Sequence, residues 1–174
     1  MCENKIRVAG SVNDSITDGP GLRYTLFVQG CPHHCPGCHN PQTHPFEGGS
    51  LRDPKEIGEE ILKNPMLSGV TLSGGEPICQ AKALLPLCRM VREAGLDIAI
   101  YSGYTFEQLL EMEDEDVTEL LSLCDVLIDG PFLLEQRSLA LLFRGSKNQR
   151  ILNLPASLKE GKAVEETSDR WLGQ

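Results

Sequence analysis

The chain has 174 residues, 40% of them hydrophobic, with no apolar run near the ~18 residues of a membrane span; this suits one soluble domain with its own core. The formal net charge of −9 argues against a nucleic-acid-binding face, which needs a basic excess. Met1-Cys2-Glu3-Asn4-Lys5 lacks the apolar stretch of a secretory signal, so a cytoplasmic protein is expected, and its seven cysteines are then reduced thiols rather than a disulfide framework.

Lys5 to Ala9 is a possible first strand, and Arg23 to Gln29 (R-Y-T-L-F-V-Q) reads as the next. Asp53-Pro54-Lys55-Glu56 combines an N-cap, a first-turn proline and a capping-box Glu, and predicts a helix to about Lys63. Gly69 to Ser73 is a second clear strand. Leu84, Leu87, Cys88 and Val91 recur at helical spacing before the terminator Gly95. Asp97 to Tyr101 is a third strand, and Thr105 to Gln108 a capping box. The carboxylate run Glu111 to Glu119 reads as a solvated helix surface rather than a metal site. Asp125 to Asp129 is a fourth strand, Phe132 to Leu142 a further helix candidate, and Gln149 to Asn153 a fifth strand. Pro155 to Gln174 is polar apart from Trp171 and reads as a loose tail, or a segment ordered by a partner.

Short Val/Ile/Leu-rich strands alternating with helices predict an α/β fold with a mostly parallel sheet. A complete eightfold barrel takes about 250 residues. The expectation is therefore a partial (βα) barrel or open curved sheet of five or six strands, helices outside, over residues 1–154, followed by the tail 155–174. The unusual loops all follow strands: Gly30-Cys31, Gly74-Gly75-Glu76-Pro77, Ser102-Gly103-Tyr104 and Gly130-Pro131. In parallel α/β folds such loops share one rim, where sites assemble.

The first of these loops runs Gly30-Cys31-Pro32-His33-His34-Cys35-Pro36-Gly37-Cys38-His39-Asn40. Three thiolates so close together, with loop prolines and a glycine, suit zinc or an iron–sulfur cluster. Structural zinc needs a fourth ligand, for which His44 is the best placed histidine. A thioredoxin-like dithiol at Cys35 and Cys38 is disfavoured by Asn40-Pro41-Gln42, which continues the loop. A four-iron cubane would keep three local thiolates and leave one iron without a protein ligand, unless Cys79, Cys88 or Cys124 supplies it. Cys88 and Cys124 read as buried inert thiols. The missing Cβ atoms of Gly74 and Gly75 would let backbone approach a small molecule beside the cluster.

Cys-x3-Cys-x2-Cys after one strand and Gly74-Gly75-Glu76 after the next resemble the radical S-adenosylmethionine superfamily. Asp18-Gly19-Pro20-Gly21-x-Arg23 and Cys38-His39-Asn40 narrow the resemblance to the activators of glycyl-radical enzymes. Leu72-Ser73-Gly74-Gly75-Glu76-Pro77, Ser102-Gly103-Tyr104, Asp125 to Phe132 and Arg144-Gly145-Ser146-x-Asn148-Gln149 are most similar to the branch that acts on anaerobic ribonucleoside-triphosphate reductase. The tail after Leu154 lies outside the resemblance.

The resemblance implies a 4Fe-4S cluster on Cys31, Cys35 and Cys38, with S-adenosylmethionine on the open iron through its amino and carboxylate groups. An electron from the cluster would break a sulfonium bond, and the resulting 5′-deoxyadenosyl radical would take hydrogen from a glycine of the reductase. It further implies that Gly74, Gly75 and Glu76 meet the methionine amino group and that Gly37, Cys38 and His39 border the cluster and the adenosyl part. Asp129 would order a ribose, a cation or the partner loop, and Arg144 and Asn148 would grip the reductase, or else serve as a surface salt bridge or loop cap. A low-potential donor such as flavodoxin or ferredoxin would supply the electron. The competing readings are an activator of the pyruvate formate-lyase type, a radical enzyme acting on a small molecule, and a zinc-stabilised binding module.

Overall fold

The computed structural model describes residues 5–173. Its strands are β1 (Ile6–Ser15), β2 (Arg23–Val28), β3 (Ser50–Arg52), β4 (Gly69–Gly74), β5 (Asp97–Ser102), β6 (Val126–Asp129) and β7 (Arg150–Asn153). The helices are α1 (Pro54–Leu62), α2 (Ala81–Glu93), α3 (Phe106–Glu111), α4 (Glu115–Leu123), α5 (Leu154–Glu160) and α6 (Asp169–Leu172). All seven strands form one sheet in the order β3-β1-β2-β4-β5-β6-β7.

The parallel part is confined to the centre. β2, β4, β5 and β6 run parallel, whereas β1 is antiparallel to β2 and β3, and β7 is antiparallel to β6. One of the differences from the expected sheet, the antiparallel β7, has a local cause. Parallel neighbours need a crossover, usually a helix. The helix expected over Phe132 to Leu142 does not form: that stretch holds only a 3-10 turn, Leu134–Gln136, and the chain doubles straight back into β7. Its apolar residues serve a cavity instead, since Phe132 and Leu141 line it. β3 is only three residues long and pairs with β1 over a long sequence separation, so nothing local announces it.

Period-two alternation gives the sheet two unlike faces. Leu26, Val28, Val70, Leu72, Ile98 and Ile100 point to the helices and join the main core with Leu84, Leu87 and Cys88 of α2. Full burial of each such Leu or Ile contributes about 1.5–3 kcal/mol. The helix signals hold: Asp53 Oδ1 caps α1 by accepting from Lys55 N–H at 2.9 Å, and Thr105 and Gln108 close the capping box of α3. Asp114 caps α4, whose acidic residues face solvent.

The opposite face is polar towards β2 and β4. Arg23 is fully buried there. Its Nε donates to Thr71 Oγ1 at 2.8 Å, its two terminal nitrogens to Val70 O at 3.0 Å and Pro20 O at 3.2 Å, and it pairs with Asp97. Towards β6 and β7 a smaller apolar cluster of Ala99, Val126, Ile128, Ile151 and Trp171 closes this face. The stretch expected to be a loose tail is thus ordered by its own domain: 164 and 166 bond to the edge of β7 and Trp171 is buried.

Arg23→Ala deletes a desolvated cation and strips Asp97 of its inner partner. Removing one member of a buried pair costs about 3–5 kcal/mol, and urea unfolding should show a loss of that order. A loss below about 1 kcal/mol, the usual ceiling of an exposed pair, would contradict this role.

Candidate functional site

Pairing in register brings the strand ends level, Val28 with Gly74 and Ser102 with Asp129, so the loops that follow meet at one rim. The cysteine loop leaves β2 through Gln29 and Gly30. Gly30 has φ +107° and donates to Thr43 O at 2.7 Å; Cys31 N–H donates to His44 O at 3.0 Å. Gln29 Nε2 donates to Gln42 O and Pro45 O, so the loop is laced to the strand at its far end too. A turn closed by Cys38 N–H to Cys35 O at 3.1 Å, with Gly37 at φ +74°, places the second and third thiols. Asn40-Pro41-Gln42, expected to stay loop, enters one 3-10 turn, Pro41–Thr43.

Cys31, Cys35 and Cys38 all line one open cavity of about 420 Å³, within the size range of small-molecule sites. Ser73, Gly74 and Gly75 line it from β4, Ser102 and Gly103 from β5, and His39 from beyond the third cysteine. The far wall is made of Thr17, Asp18, Tyr101, Phe143, Arg144 and Gln149. Among the described residues, no three His, Cys, Asp or Glu side chains converge as ligands of a single ion.

The glycine pair reaches the cavity as expected but is glycine for another reason. A Cβ on Gly74, which has φ +95°, would strike the backbone of Phe27 and Val28; one on Gly75 would strike Gly30, its carbonyl oxygen first. The empty positions point into the protein. Gly75 N–H donates to Val28 O and Glu76 N–H to Gly30 O, both at 2.8 Å, so this turn is bolted to the residue before Cys31.

Two predicted ligand-binding carboxylates turn away from the cavity. Glu76 is 1% exposed. Its Oε1 accepts from His33 Nε2 at 2.6 Å, Ser102 Oγ at 2.9 Å and Gly103 N–H at 2.8 Å, and its Oε2 accepts from Ile78 N–H at 3.0 Å. Asp129, also 1% exposed, takes Arg150 through both oxygens and caps α3 by accepting from Phe106 N–H at 2.8 Å. Neither is among the cavity-lining residues; each has spent its charge on neighbouring loops.

Comparison with known proteins agrees with this geometry. The family model "4Fe-4S single cluster domain" matches residues 17–152. The anaerobic ribonucleoside-triphosphate reductase-activating protein of Haemophilus influenzae is 37% identical over 146 residues, 78% of this chain and 90% of that protein. The proteins of that name from Vibrio cholerae (39% over 145 residues; 78% and 90%) and Escherichia coli K12 (33% over 150 residues; 80% and 93%) match similarly. The chain belongs to this activating-protein family. A likeness to the crystal structure of QueE from Escherichia coli (TM-score 0.49, 17% identity, 58% of this chain and 54% of that one) is too slight to add to it.

The thiols fit the iron–sulfur cluster that membership implies. Soft sulfur donors suit iron–sulfur centres, and the three lie in mutual electrostatic reach: burial pushes the Cys31 thiol up, and Glu76, Cys35 and Cys38 push it the same way, against one His33 N–H that lowers it. Cys79 is not among the lining residues, and burial raises its thiol to about 11. Cys88 and Cys124 are buried, as expected of inert thiols. Asn148, expected to grip a partner, is a loop clamp: its Nδ2 donates to Pro131 O at 2.7 Å. Arg144 donates to Gln149 O at 3.1 Å, and its Nε is buried without a partner.

Several wall residues escaped the sequence. Tyr101 had a signal: it sits two residues after Ala99, on the face opposite Ile98 and Ile100. Phe143 and Thr17 had none, because they belong to irregular segments.

Two outcomes follow. Gly75→Ala forces its turn off Gly30 and so shifts the residue before Cys31. Iron retained after anaerobic reconstitution should fall along with affinity for any ligand of the turn; iron retention equal to wild type would show that the contact is slack. Separately, a raised Cys31 pKa means that iron must displace a proton, and affinity then rises with pH. Iron and sulfide uptake should increase from about pH 6.5 to about pH 8.5, a window below the raised Cys31 value in which the thiol still holds the proton that iron must displace; uptake that is flat over this window would contradict it.

Proposed function

We propose that this protein binds a 4Fe-4S cluster on Cys31, Cys35 and Cys38, binds S-adenosylmethionine beside it, and activates an anaerobic ribonucleoside-triphosphate reductase by installing a glycyl radical. The observation that carries this is the shared cavity: three thiols of one loop and the Gly74-Gly75 turn of the next line the same open space. The names of the relatives supply the partner class. When bound, cluster and cosubstrate supply the hard step, a one-electron cleavage that yields a 5′-deoxyadenosyl radical able to take hydrogen from glycine.

The chain's own residues bind and orient. With the N–H groups of Gly75 and Glu76 spent on Val28 and Gly30, the turn offers acceptors, which suits the methionine ammonium. Arg144 is the guanidinium among the cavity-lining residues and would take the carboxylate. Glu76 acts at one remove, by fixing the turn and His33. His39, exposed and 5.2 Å from the Phe132 ring between centroids, forms with it an edge suited to the adenine. The cavity opens to solvent, so water must be excluded by what docks over it, and a glycine loop of a protein can do this where a small substrate cannot. A low-potential protein donor of the flavodoxin or ferredoxin class would deliver the electron.

The test mixes the anaerobically reconstituted protein, S-adenosylmethionine, a strong reductant and the anaerobic reductase of the same organism. A doublet EPR signal on the reductase is expected, with ribonucleotide reduction following, and the Cys35→Ser protein should produce neither. A silent reductase beside another glycyl-radical enzyme that responds would change the partner. S-Adenosylmethionine consumed with a small molecule, and no protein radical, would overturn the activase reading.

A further inference from the structure

The family match ends at residue 152, yet the segment beyond it returns to the back of the cavity. Asn153 N–H donates to Val164 O at 2.8 Å and Glu166 N–H to Ile151 O at 2.9 Å, which lays the segment along β7. Arg170 then pairs with Asp97 at 2.8 Å and sets α6 down behind the far wall. Trp171, the chain's single tryptophan, is 3% exposed.

Its indole touches three things that matter to the wall. The Arg23 guanidinium lies 5.7 Å from the ring centroid. The Phe143 ring stands edge-on to it, 5.3 Å between centroids at 76°. Its edge occupies the side of Gly19, where a Cβ would lie 3.2 Å from Cη2. Gly19 directly follows Thr17 and Asp18, and Phe143 directly precedes Arg144; all four of those residues line the cavity. Phe143 also sits at φ +64°, a left-handed conformation that a residue with a side chain keeps only when its surroundings hold it there. Two of those holds are visible: Tyr101 Oη–H donates to Phe143 O at 2.6 Å, and Trp171 packs on the ring.

We propose that Trp171 is a positioning residue for cosubstrate binding, a buttress that fixes the Thr17–Asp18 and Phe143–Arg144 walls from behind without touching the ligand. This rests on the reading of the cavity as the S-adenosylmethionine site. Coupling of this kind is reciprocal: if an ordered C-terminal segment favours the bound ligand, the ligand must favour the ordered segment by the same factor.

The experiment uses the full-length holoprotein. S-Adenosylmethionine is titrated by its effect on the EPR spectrum of the reduced cluster in wild type, W171A and W171F. In W171A the concentration for half effect should rise about tenfold, inside the span usual for such couplings, with iron content unchanged. W171F, which restores a ring against Phe143 and Arg23, should recover most of the loss. In parallel, hydrogen exchange on the wild type should show S-adenosylmethionine slowing the amides of Leu172 and Gly173, which donate to Ser168 O and Asp169 O. That second measurement decides the matter if W171A does not fold. A W171A titration equal to wild type, or exchange at 172 and 173 indifferent to the ligand, overturns the buttress alone. Iron lost from both variants in proportion to their thermal stability also overturns it, in favour of a structural role only. A wild type whose cluster ignores S-adenosylmethionine overturns the cavity assignment, and the buttress falls with it.

Discussion

Taking an ionised carboxylate out of water costs several kcal/mol and is tolerated only where donors replace the lost hydration. Glu76 meets that condition with donors from two other loops and from its own turn. His33 comes from the cysteine loop, Ser102 and Gly103 from the loop after β5, and Ile78 from the turn that starts α2. Because a carboxylate only accepts, His33 Nε2 must carry a proton, which fixes the imidazole between Cys31 and Cys35 in one orientation. Bonds to a charged acceptor contribute about 1.5–3 kcal/mol each. The arrangement is therefore brittle in a useful sense: moving any one loop strands a buried charge, so the rim holds its geometry as a unit.

The glycines complete that unit. Gly103 leaves room for the His33 ring, since a Cβ there would lie 2.5 Å from its Cδ2. Gly75 leaves room for Gly30, and Gly74 for the end of β2. Each missing side chain is a place where one rim loop touches the next. The Gly74-Gly75 turn is thus shaped first by the need to sit against the cysteine loop, and its place on the cavity wall is a consequence of where that packing leaves it. One displacement there would therefore move both the turn and the cysteine loop.

How much of this the sequence showed depends on the range of the interaction. Central strands and capped helices are local statements, and Leu84 to Val91 or Thr105 to Gln108 carry them openly. The three clustered cysteines are local too, and their spacing, with the family likeness, pointed to an iron–sulfur centre. Phe132 to Leu142 misled because apolar residues at helical intervals look alike whether they face a core or a cavity. The protein partners of Glu76 and Asp129 were not legible, because a carboxylate after a strand does not reveal them; His33 lies 43 residues from one and Arg150 21 from the other. Trp171 did leave a trace, a lone aromatic in a polar stretch, but its sockets at Arg23 and Phe143 are set by the tertiary fold.

The sheet's second face explains why the site is open at all. A closed barrel fills its interior with layers of branched apolar side chains. Here the corresponding positions near β2 and β4 carry Arg23, Thr25, Thr71 and Ser73, with Asp18 accepting from Ser15 Oγ at 2.6 Å and Thr25 Oγ1 at 3.1 Å. Such a surface gains nothing from collapsing on itself, so the sheet stays open and the cavity persists between it and the walls. The floor is rigid, because strand hydrogen bonds and the helix-side core hold it. The walls are irregular segments held by bonds such as Tyr101 Oη–H to Phe143 O, Arg144 to Gln149 O and Thr71 Oγ1–H to Asp18 O, with the tryptophan packed behind them. Floor and walls therefore rest on different kinds of support: regular strand pairing for the one, side-chain packing and bonds between irregular loops for the other.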